Sequence, residues 1–253
     1  MPKTKEKDTR KNSKTSLYDY TSGGGEGFNI NLDFTGEGWT PELKEQACAM
    51  SELLSTLIIA DIPDEKYKGN VIDDIYMNLQ LGELDGSGKI VGSASVQKWR
   101  SDSDRPLAAL IYLDNADAQR LLDQGRFDDL ILHEMIHNLG FISTNDRDGL
   151  VNDSNQYIGA NALQEFEKYN SEHDLLINWD TGMHWEQDGL ALAENELMTR
   201  TLDHTNYLST VTLAAIEDLG YETLLSSGTF NDTTVVMNEI SLDWMITNDW
   251  ATI

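Results

Sequence analysis

The pattern H-E-x-x-H, followed by x-x-G, occupies residues 133–140 and constrains the fold of this chain more than any other stretch. His133 and His137 are four residues apart, so on a helix they lie one above the other and direct two imidazoles at one point. Two converging imidazoles suit a zinc ion. Glu134 would lie beside that ion, where it can take a proton from water and pass it to a leaving amine. The pattern therefore predicts a helix with two metal ligands and a catalytic carboxylate.

A chance match has to be weighed against this interpretation, because a five-residue pattern with two free positions also occurs in helices that bind nothing. Apolar residues around the pattern favour the metal site, since they would bury the helix, and a buried helix cannot hold two unpaired histidines cheaply. Gly140 would let the backbone turn sharply out of the helix, toward a third ligand. The apolar residues are Leu130, Ile131, Leu132, Met135, Ile136 and Leu139.

The third ligand is left open by the residues alone. In the compact zinc endopeptidases called metzincins, the third histidine follows the second by six residues, and here that position is Ser143. A glutamate on a following helix is the other common arrangement, although a solvated helix face explains such glutamates equally well. The downstream candidates are His173, His184, His204, Glu165 and Glu167.

Charge and composition exclude several classes of protein. The chain of 253 residues carries 44 acidic and 18 basic residues, a formal net charge of -26. This charge argues against nucleic-acid binding, because neutralising phosphates requires patches of Lys and Arg. No stretch approaches the roughly 18–20 apolar residues of a membrane-spanning helix, and the N-terminus lacks the apolar core of a signal peptide. Cys48 is the single cysteine, which excludes an internal disulfide framework.

Strand and helix signals together predict an α+β fold in which helices pack against a twisted sheet. Thr40 and Pro41 predict the N-cap and the first position of a long helix that stops before Pro63. The near-continuous apolar run of residues 107–114 predicts a strand covered on both faces. The other predicted elements are strands over residues 28–34, over 71–79 and after 84–92, a helix over 116–122, and the zinc helix from about residue 127.

The connection over residues 84–92 contains Asp85-Gly86-Ser87-Gly88. An aspartate among glycines is found in calcium loops, but the terminal glutamate of such a loop is missing, so a turn is the better prediction.

Four segments are expected along the chain. Residues 1–27, rich in lysine and ending in a glycine run, are expected to be a disordered leader. Residues 28–141 form the predicted N-terminal catalytic subdomain with the zinc helix, and residues 142–224 form a mainly helical or irregular C-terminal subdomain. Residues 225–253 form an acidic and aliphatic tail, interpreted as either an extra edge hairpin or an uncleaved secretion signal.

Several separated segments resemble the leishmanolysin-like metallopeptidases of the bacterial type, over about residues 28–222. They contain H-E-x-x-H-x-x-G-F, then H-W-E, then E-L-M-T in the order of that family, although a single cysteine departs from its disulfide-rich founding members. In that family an inserted segment displaces the third zinc histidine downstream, ahead of a methionine turn. The resemblance therefore implies a metzincin fold, His184 as third ligand of one Zn²⁺ per chain, and Met198 as an apolar floor under the metal. The segments are residues 133–141, 157–163, 182–186, 195–199 and 213–221.

The resemblance and the motif chemistry together imply a zinc-dependent endopeptidase acting on protein or peptide chains. Glu134 would be the general base, and His133, His137 and His184 the ligands. The alternative is a catalytically silent relative that keeps the zinc as a binding element, but such a relative need not retain the glutamate. Because an unregulated peptidase is hazardous to its own cell, export by a route without an N-terminal signal is expected, with the cytoplasm as the other location. The sequence carries no signature of oligomeric state.

Overall fold

The computed structural model of this protein describes residues 17–25, 27–141, 149–169, 173–178, 181–187 and 195–228. Over these ranges the protein is a mixed α+β structure with a twisted five-stranded sheet, a two-stranded hairpin and five α-helices. Within the same ranges, no helix is both long and apolar enough to cross a membrane. The α+β class predicted from the sequence is confirmed.

The strands are β1 (Tyr20–Thr21), β2 (Ile30–Gly36), β3 (Glu65–Tyr67), β4 (Asn70–Ile72), β5 (Ile75–Gly82), β6 (Gly92–Trp99) and β7 (Pro106–Asp114). The main sheet has the order β1-β2-β5-β7-β6, and β3 pairs with β4 as a separate hairpin. β2, β5 and β7 run parallel, whereas β1 and β6 are antiparallel to their neighbours. In β7 nearly every side chain is buried, as its apolar run predicts for a strand between two neighbours and covered on both faces.

The prediction of one strand over residues 71–79 is wrong, because the chain bends at Asp73 and Asp74, between β4 and β5. The buried Asp74 carboxylate accepts hydrogen bonds from the backbone N–H groups of Ile62 (2.7 Å) and Asn29 (2.6 Å). The Arg100 guanidinium donates to the carbonyl oxygens of Asp73 and Asp74. These bonds satisfy backbone groups that a continuous strand would pair within a ladder.

The described helices are α1 (Pro41–Leu57), α2 (Asn115–Asp123), α3 (Phe127–Asn138), α4 (Ala160–Glu167) and α5 (Thr210–Asp218). α1 begins as predicted, with the Thr40 hydroxyl accepting a hydrogen bond from Leu43 N (3.3 Å) and Pro41 in the first position. α3 packs against α1, β6 and β7. We call residues 17–141 the upstream half and the described residues from 149 onward the downstream half. The apolar core of the upstream half lies between α1, α3 and the sheet.

The glycine-rich connection before β6 is a turn, as predicted, and its backbone amides point at two carboxylates. Asp114 Oδ2 accepts hydrogen bonds from the N–H groups of residues 84–86 (3.0 to 3.1 Å), and Asp117 accepts one from Gly88 N (2.9 Å). A loop that turns its N–H donors inward binds anionic groups, whereas calcium needs oxygen ligands. The two aspartates thus fix the start of β6 beside the end of β7.

Among the described residues from 149 onward, little regular structure occurs apart from α4 and α5. Asp218, at the end of α5, accepts hydrogen bonds from Asn161 N (2.8 Å) and Ala162 N (3.0 Å), and so caps the N-terminus of α4. Gly159 permits this approach, because a Cβ there would overlap the Asp218 carboxylate. One carboxylate therefore joins the two downstream helices.

The last described segment returns to the upstream half. Residues 221–224 exchange backbone hydrogen bonds with Leu57 and Ile59 at the end of α1. The Tyr221 hydroxyl donates to Leu139 O, just beyond α3 (3.1 Å). These bonds fasten the downstream half to the ends of both helices.

The segments predicted as leader and tail are described only in part. Tyr20 and Thr21, inside the predicted leader of residues 1–27, form β1 and pair with β2, and Ser22 is buried. Residues 1–16 and 26 lie outside the described residues. So do residues 229–253 of the predicted tail and Ser143.

Candidate metal centre

α3 carries the H-E-x-x-H pattern and begins at Phe127, as predicted. Its apolar side chains bury the helix against α1, β6 and β7, and this burial includes His133 and Glu134, which are 6% and 5% exposed. Gly140 follows the helix with φ of +104°, a conformation that favours glycine, and turns the chain out of the helix. The helix and its end therefore match the sequence prediction.

Three histidine side chains meet at one point. His133 Nε2 lies 3.1 Å from His137 Nε2 and 3.3 Å from His184 Nε2, and the last two atoms are 3.2 Å apart. His133 and His137 lie on adjacent turns of α3, whereas His184 lies in the irregular segment of residues 181–187. The three residues form a group that could hold a metal ion.

The opposite ring nitrogens decide which form of the imidazoles is present. His133 Nδ1 lies 2.7 Å from Leu197 O, and His137 Nδ1 lies 3.3 Å from Phe141 O. A carbonyl oxygen can only accept, so each Nδ1 carries the proton and donates it, which leaves a lone pair on each Nε2. The two lone pairs face each other across 3.1 Å. A cation between the rings would turn this repulsion into coordination.

Burial keeps the three imidazoles neutral. It lowers the pKa of His133 to about 4 and that of His184 to about 3, and it lowers the pKa of His137 well below its ordinary value. Repulsion from a neighbouring imidazolium adds to the lowering for His137 and His184. Because metals bind the neutral imidazole, the site presents its ligands in the binding form at neutral pH.

The spacing of the three Nε2 atoms fits a tetrahedral metal. With Zn–N bonds of about 2.0 to 2.1 Å, two ligand atoms of a tetrahedral ion lie about 3.3 to 3.4 Å apart. The observed separations are 3.1 to 3.3 Å. Three protein ligands also leave one coordination position for water or substrate, which distinguishes catalytic from structural zinc sites.

Glu134 lies next to His133 on α3 and faces the start of β6. Burial raises the pKa of its carboxyl to about 8, and a cation on the histidines would oppose that shift. Gly92 makes room for the carboxylate, because a Cβ at this position would lie 2.9 Å from Glu134 Oε1 and 3.1 Å from Leu130 Cδ1. The first residue of β6 therefore sets the space available to Glu134.

An open cleft of about 370 Å³ reaches the three histidines and Glu134. It runs along residues 92–96 of β6, which is an edge strand with β7 on one side and, among the described residues, no strand on the other. An edge strand offers unpaired backbone N–H and C=O groups. The remaining lining residues are Trp99, Asn138, Phe141 and Met183.

His184 is held by its neighbours rather than by a helix or strand. The Trp185 ring is fully buried and packs edge-on against Phe141 and Tyr157, with ring centroids 5.1 Å apart in both pairs. Trp185 is therefore a packing residue beside His184. His184 Nδ1 lies 2.9 Å from the Thr181 hydroxyl, which fixes the orientation of the imidazole.

Met198 is buried in a tight turn between Glu196 and Thr199. Thr199 N donates to Glu196 O (3.1 Å), which closes the turn. Leu197 O, inside this turn, accepts the hydrogen bond of His133 Nδ1 (2.7 Å), so the turn contacts the histidine group directly. The role of Met198 as an apolar floor under a metal stays a prediction.

The other ligand candidates lie elsewhere. His173 and His204 are exposed, and neither belongs to a potential metal-binding group of the described residues. Glu165 and Glu167 lie on α4, where Glu165 forms an ion pair with Lys168 and Glu167 is exposed. Glu167 therefore has the solvated position that the alternative interpretation expected, whereas the Glu165 side chain is only 12% exposed.

Sequence reasoning missed the polar residues that support the methionine turn. Glu196 accepts hydrogen bonds from Met198 N, Ser209 and Thr212, and all four residues are buried. One signal was present, since an acidic residue beside apolar Leu197 and Met198 needs partners if the turn is buried. The partners themselves could not be read from the sequence.

Comparison with known proteins identifies no family. A scan against protein-family models found no match, and a search of curated proteins found none either. The function of the protein is therefore inferred from the geometry of the site and from the motifs of the sequence.

Proposed function

We propose that this protein is a zinc-dependent endopeptidase of the metzincin type, similar to the leishmanolysin-like metallopeptidases. The observation that carries the proposal is the meeting of three Nε2 atoms within 3.1 to 3.3 Å, with at least two lone pairs directed at each other. Such an arrangement is unfavourable without a cation, and its spacing fits zinc. His133, His137 and His184 would hold one Zn²⁺ per chain.

A bound zinc ion would supply Lewis acidity, which lowers the pKa of a coordinated water toward neutrality. The role of the chain's own residues follows from position. Glu134 adjoins the first ligand and lines the same cleft, so its carboxylate can take the proton of the attacking water and give it to the leaving amine. The neutral histidines orient the site through Nδ1 bonds to Leu197 O and Phe141 O.

The free edge of β6 supports a peptide as the substrate. Residues 92–96 of this strand line the cleft beside Glu134 and the histidines. An extended peptide could add to the edge through main-chain hydrogen bonds, a mode that recognises peptide backbone irrespective of sequence. The cleft is only partly enclosed, so a peptide chain could enter it.

The proposal is tested by digestion of fluorescein-labelled casein. The purified protein is expected to release labelled fragments, to lose this activity with a zinc chelator, and to regain it when zinc is restored. Glu134→Gln is expected to keep zinc and fold but to lose activity by about 10² to 10⁴-fold, because an amide cannot accept the proton.

Each result separates the candidates. A zinc-loaded, folded protein that leaves casein intact would favour the silent zinc-binding relative. Cleavage that survives both the chelator and Glu134→Gln would remove the metal site from the mechanism. Glu217→Gln is a suitable control, because Glu217 lies on α5 outside the cleft and accepts hydrogen bonds from Thr223 and Ser226.

A further inference from the structure

The carboxylate of Glu196 is fully buried and accepts four hydrogen bonds. Its Oε1 accepts from Ser209 N (3.1 Å), from the Ser209 hydroxyl (2.9 Å) and from the Thr212 hydroxyl (2.6 Å). Its Oε2 accepts from Met198 N (2.6 Å). A buried charge costs several kcal/mol unless it is paired or bonded, so a carboxylate with this many donors has a defined task.

The bonds of Glu196 lead to His133 along a short path. Glu196 Oε2 holds Met198 N, and the neighbouring Leu197 O receives the proton of His133 Nδ1 at 2.7 Å. Moving this turn would move the acceptor that fixes the tautomer and the ring orientation of His133.

A second path leads toward His184. The Thr212 hydroxyl gives its proton to Glu196 Oε1 and accepts a hydrogen bond from Trp185 Nε1 (2.8 Å). Trp185 N donates to Met198 O (3.0 Å), so both the ring and the backbone of Trp185 depend on this network. Because His184 is the adjacent residue and lies in no helix or strand, the position of Trp185 helps to place its imidazole, together with the bond to Thr181.

The network requires a carboxylate rather than an amide. All four groups around Glu196 can donate to it, and the Ser209 hydroxyl lies closer to Glu196 Oε1 (2.9 Å) than to its other acceptor, the Thr212 hydroxyl oxygen (3.3 Å). The Thr212 hydroxyl is occupied as an acceptor by Trp185, and the Ser209 hydroxyl is occupied by Thr212 N (3.1 Å) at the start of α5. A glutamine would place an NH₂ group against one of these donors, either Met198 N–H or the cluster at Oε1.

We propose that Glu196 is a positioning residue of the metal site, which aligns His133 through Leu197 and His184 through Trp185. The proposal rests on the function proposed above, since it assumes that the three histidines bind a metal. Glu196 does not contact the metal or the substrate. It couples α5 to both ligands, so that the site acquires its binding geometry before the metal arrives.

The test measures metal affinity and ligand geometry rather than activity. Zinc affinity is determined by competition with a chromophoric chelator, and the visible absorption of the Co²⁺-substituted protein reports the symmetry of the ligand set. Glu196→Gln is expected to weaken zinc binding by about 10 to 100-fold, the usual effect of removing a partner of a metal ligand. It is also expected to change the Co²⁺ spectrum.

A milder matched pair covers the case in which Glu196→Gln does not fold. Thr212→Val removes the hydroxyl that links Glu196 to Trp185, whereas Thr212→Ser keeps it. The expectation is weakened zinc binding for Thr212→Val and near-normal binding for Thr212→Ser. Asp218→Asn is the control for lost stability, because this residue caps α4 without a bond to the network. It should lower the melting temperature and leave zinc affinity and the Co²⁺ spectrum unchanged.

The outcomes distinguish failure of the proposed zinc site from failure of the positioning role of Glu196. If the unmodified protein binds no zinc, the proposed function fails and the role of Glu196 fails with it. If the unmodified protein binds zinc and the folded Glu196 and Thr212 variants bind it equally tightly, with unaltered Co²⁺ spectra, only the positioning role is overturned. Weakened binding in Asp218→Asn to the same degree would likewise reduce Glu196 to a general stabilising residue.

Discussion

His133 and His137 are held by a packed helix, whereas His184 is held by hydrogen bonds in a segment without regular structure. On the upstream side, α3 is buried against α1, β6 and β7, and its register alone places the two histidines one above the other. On the downstream side, His184 depends on Thr181, Trp185 and the turn around Met198. Packing of α3 fixes the backbone positions of His133 and His137, although the ring of His133 also depends on Leu197 O, whereas His184 is fixed only when the polar network is complete.

This difference indicates a division of labour between the two halves. The upstream half supplies Glu134 and the edge strand β6, which are the parts that would act on a peptide. The downstream half supplies one ligand and the acceptor for another, which are the parts that complete the metal site. Four experiments probe this division, and they follow in order of expected effect.

Removal of the downstream ligand is expected to have the largest effect. His184→Ala should lower zinc affinity by more than about 100-fold. Removing the hydrogen-bond partner of a metal ligand lowers affinity by about 10 to 100-fold, and removing a ligand itself should lower it further. The upstream half should stay folded, since its core does not include this side chain. Metal titration and circular dichroism of the variant measure both quantities. Unchanged zinc affinity would mean that another residue is the third ligand.

Removal of the metal should affect the two halves unequally. After chelation, amide exchange in residues 181–187 and 195–209 is expected to rise about tenfold or more, while exchange in α3 changes little. The reason is that apolar packing holds α3, whereas the downstream segments are joined by few backbone bonds and would lose the cross-link that the metal provides. Hydrogen exchange followed by mass spectrometry gives the rates for each segment. The Glu134→Gln protein is used for this measurement, because it should bind zinc without cleaving itself. If zinc removal accelerated amide exchange equally in α3 and in the downstream segments, the two halves would not differ in how they are held.

Gly92→Ala probes the upstream half. The new Cβ would lie 2.9 Å from Glu134 Oε1, so the carboxylate has to shift while the histidines keep their places. The variant should lose about 1 kcal/mol of stability, the lower end of overpacking effects, and should cleave casein several-fold more slowly. Its zinc affinity should match that of the unmodified protein. Because the φ of Gly92 lies outside the left-handed region, the effect reports contact with Glu134 and Leu130 rather than backbone strain.

The smallest expected effect is a pH dependence of stability caused by Asp74, at the bend before β5. Burial raises the pKa of Asp74 to about 6, so the folded chain binds a proton more tightly than the unfolded chain between about pH 4 and 6. This contribution to the free energy of unfolding is fully present below about pH 4, and it declines as pH rises through this window. Urea denaturation at several pH values should therefore show that the unmodified protein loses stability relative to Asp74→Asn as the pH rises from about 4 to 6. The difference in stability between the two proteins should be the same with and without zinc, because Asp74 lies in the upstream half, away from His184. If the two proteins show the same dependence of stability on pH, the prediction is wrong.

Local sequence signals predicted the elements that are fixed by local physics. The Thr40 cap, the apolar run of β7, the helix of His133 and His137 and the turn at Gly140 each depend on residues a few positions apart. The break between β4 and β5 was missed because its cause lies in Arg100 and in backbone groups distant in sequence.

The candidate site divides in the same way. The helical pair and the adjacent Glu134 follow from periodicity, whereas His184 was selected by resemblance, not by spacing. The bonds of Glu196 with Ser209 and Thr212 could not be predicted, since many serines and threonines would satisfy a carboxylate equally well. Non-local polar contacts are specified by the folded geometry rather than by a sequence period.

The attachment of residues 221–224 to the ends of α1 and α3 has a consequence for synthesis on the ribosome. A growing chain completes the helix with Glu134 and two histidines long before His184, α5 and Tyr221 leave the exit tunnel. Until then Ile58, just after α1, lacks its bridge to Thr223, and the histidine group has neither its third member nor the carbonyl of Leu197. We therefore expect a nascent chain to be inert toward peptides until nearly all of the described residues have been translated.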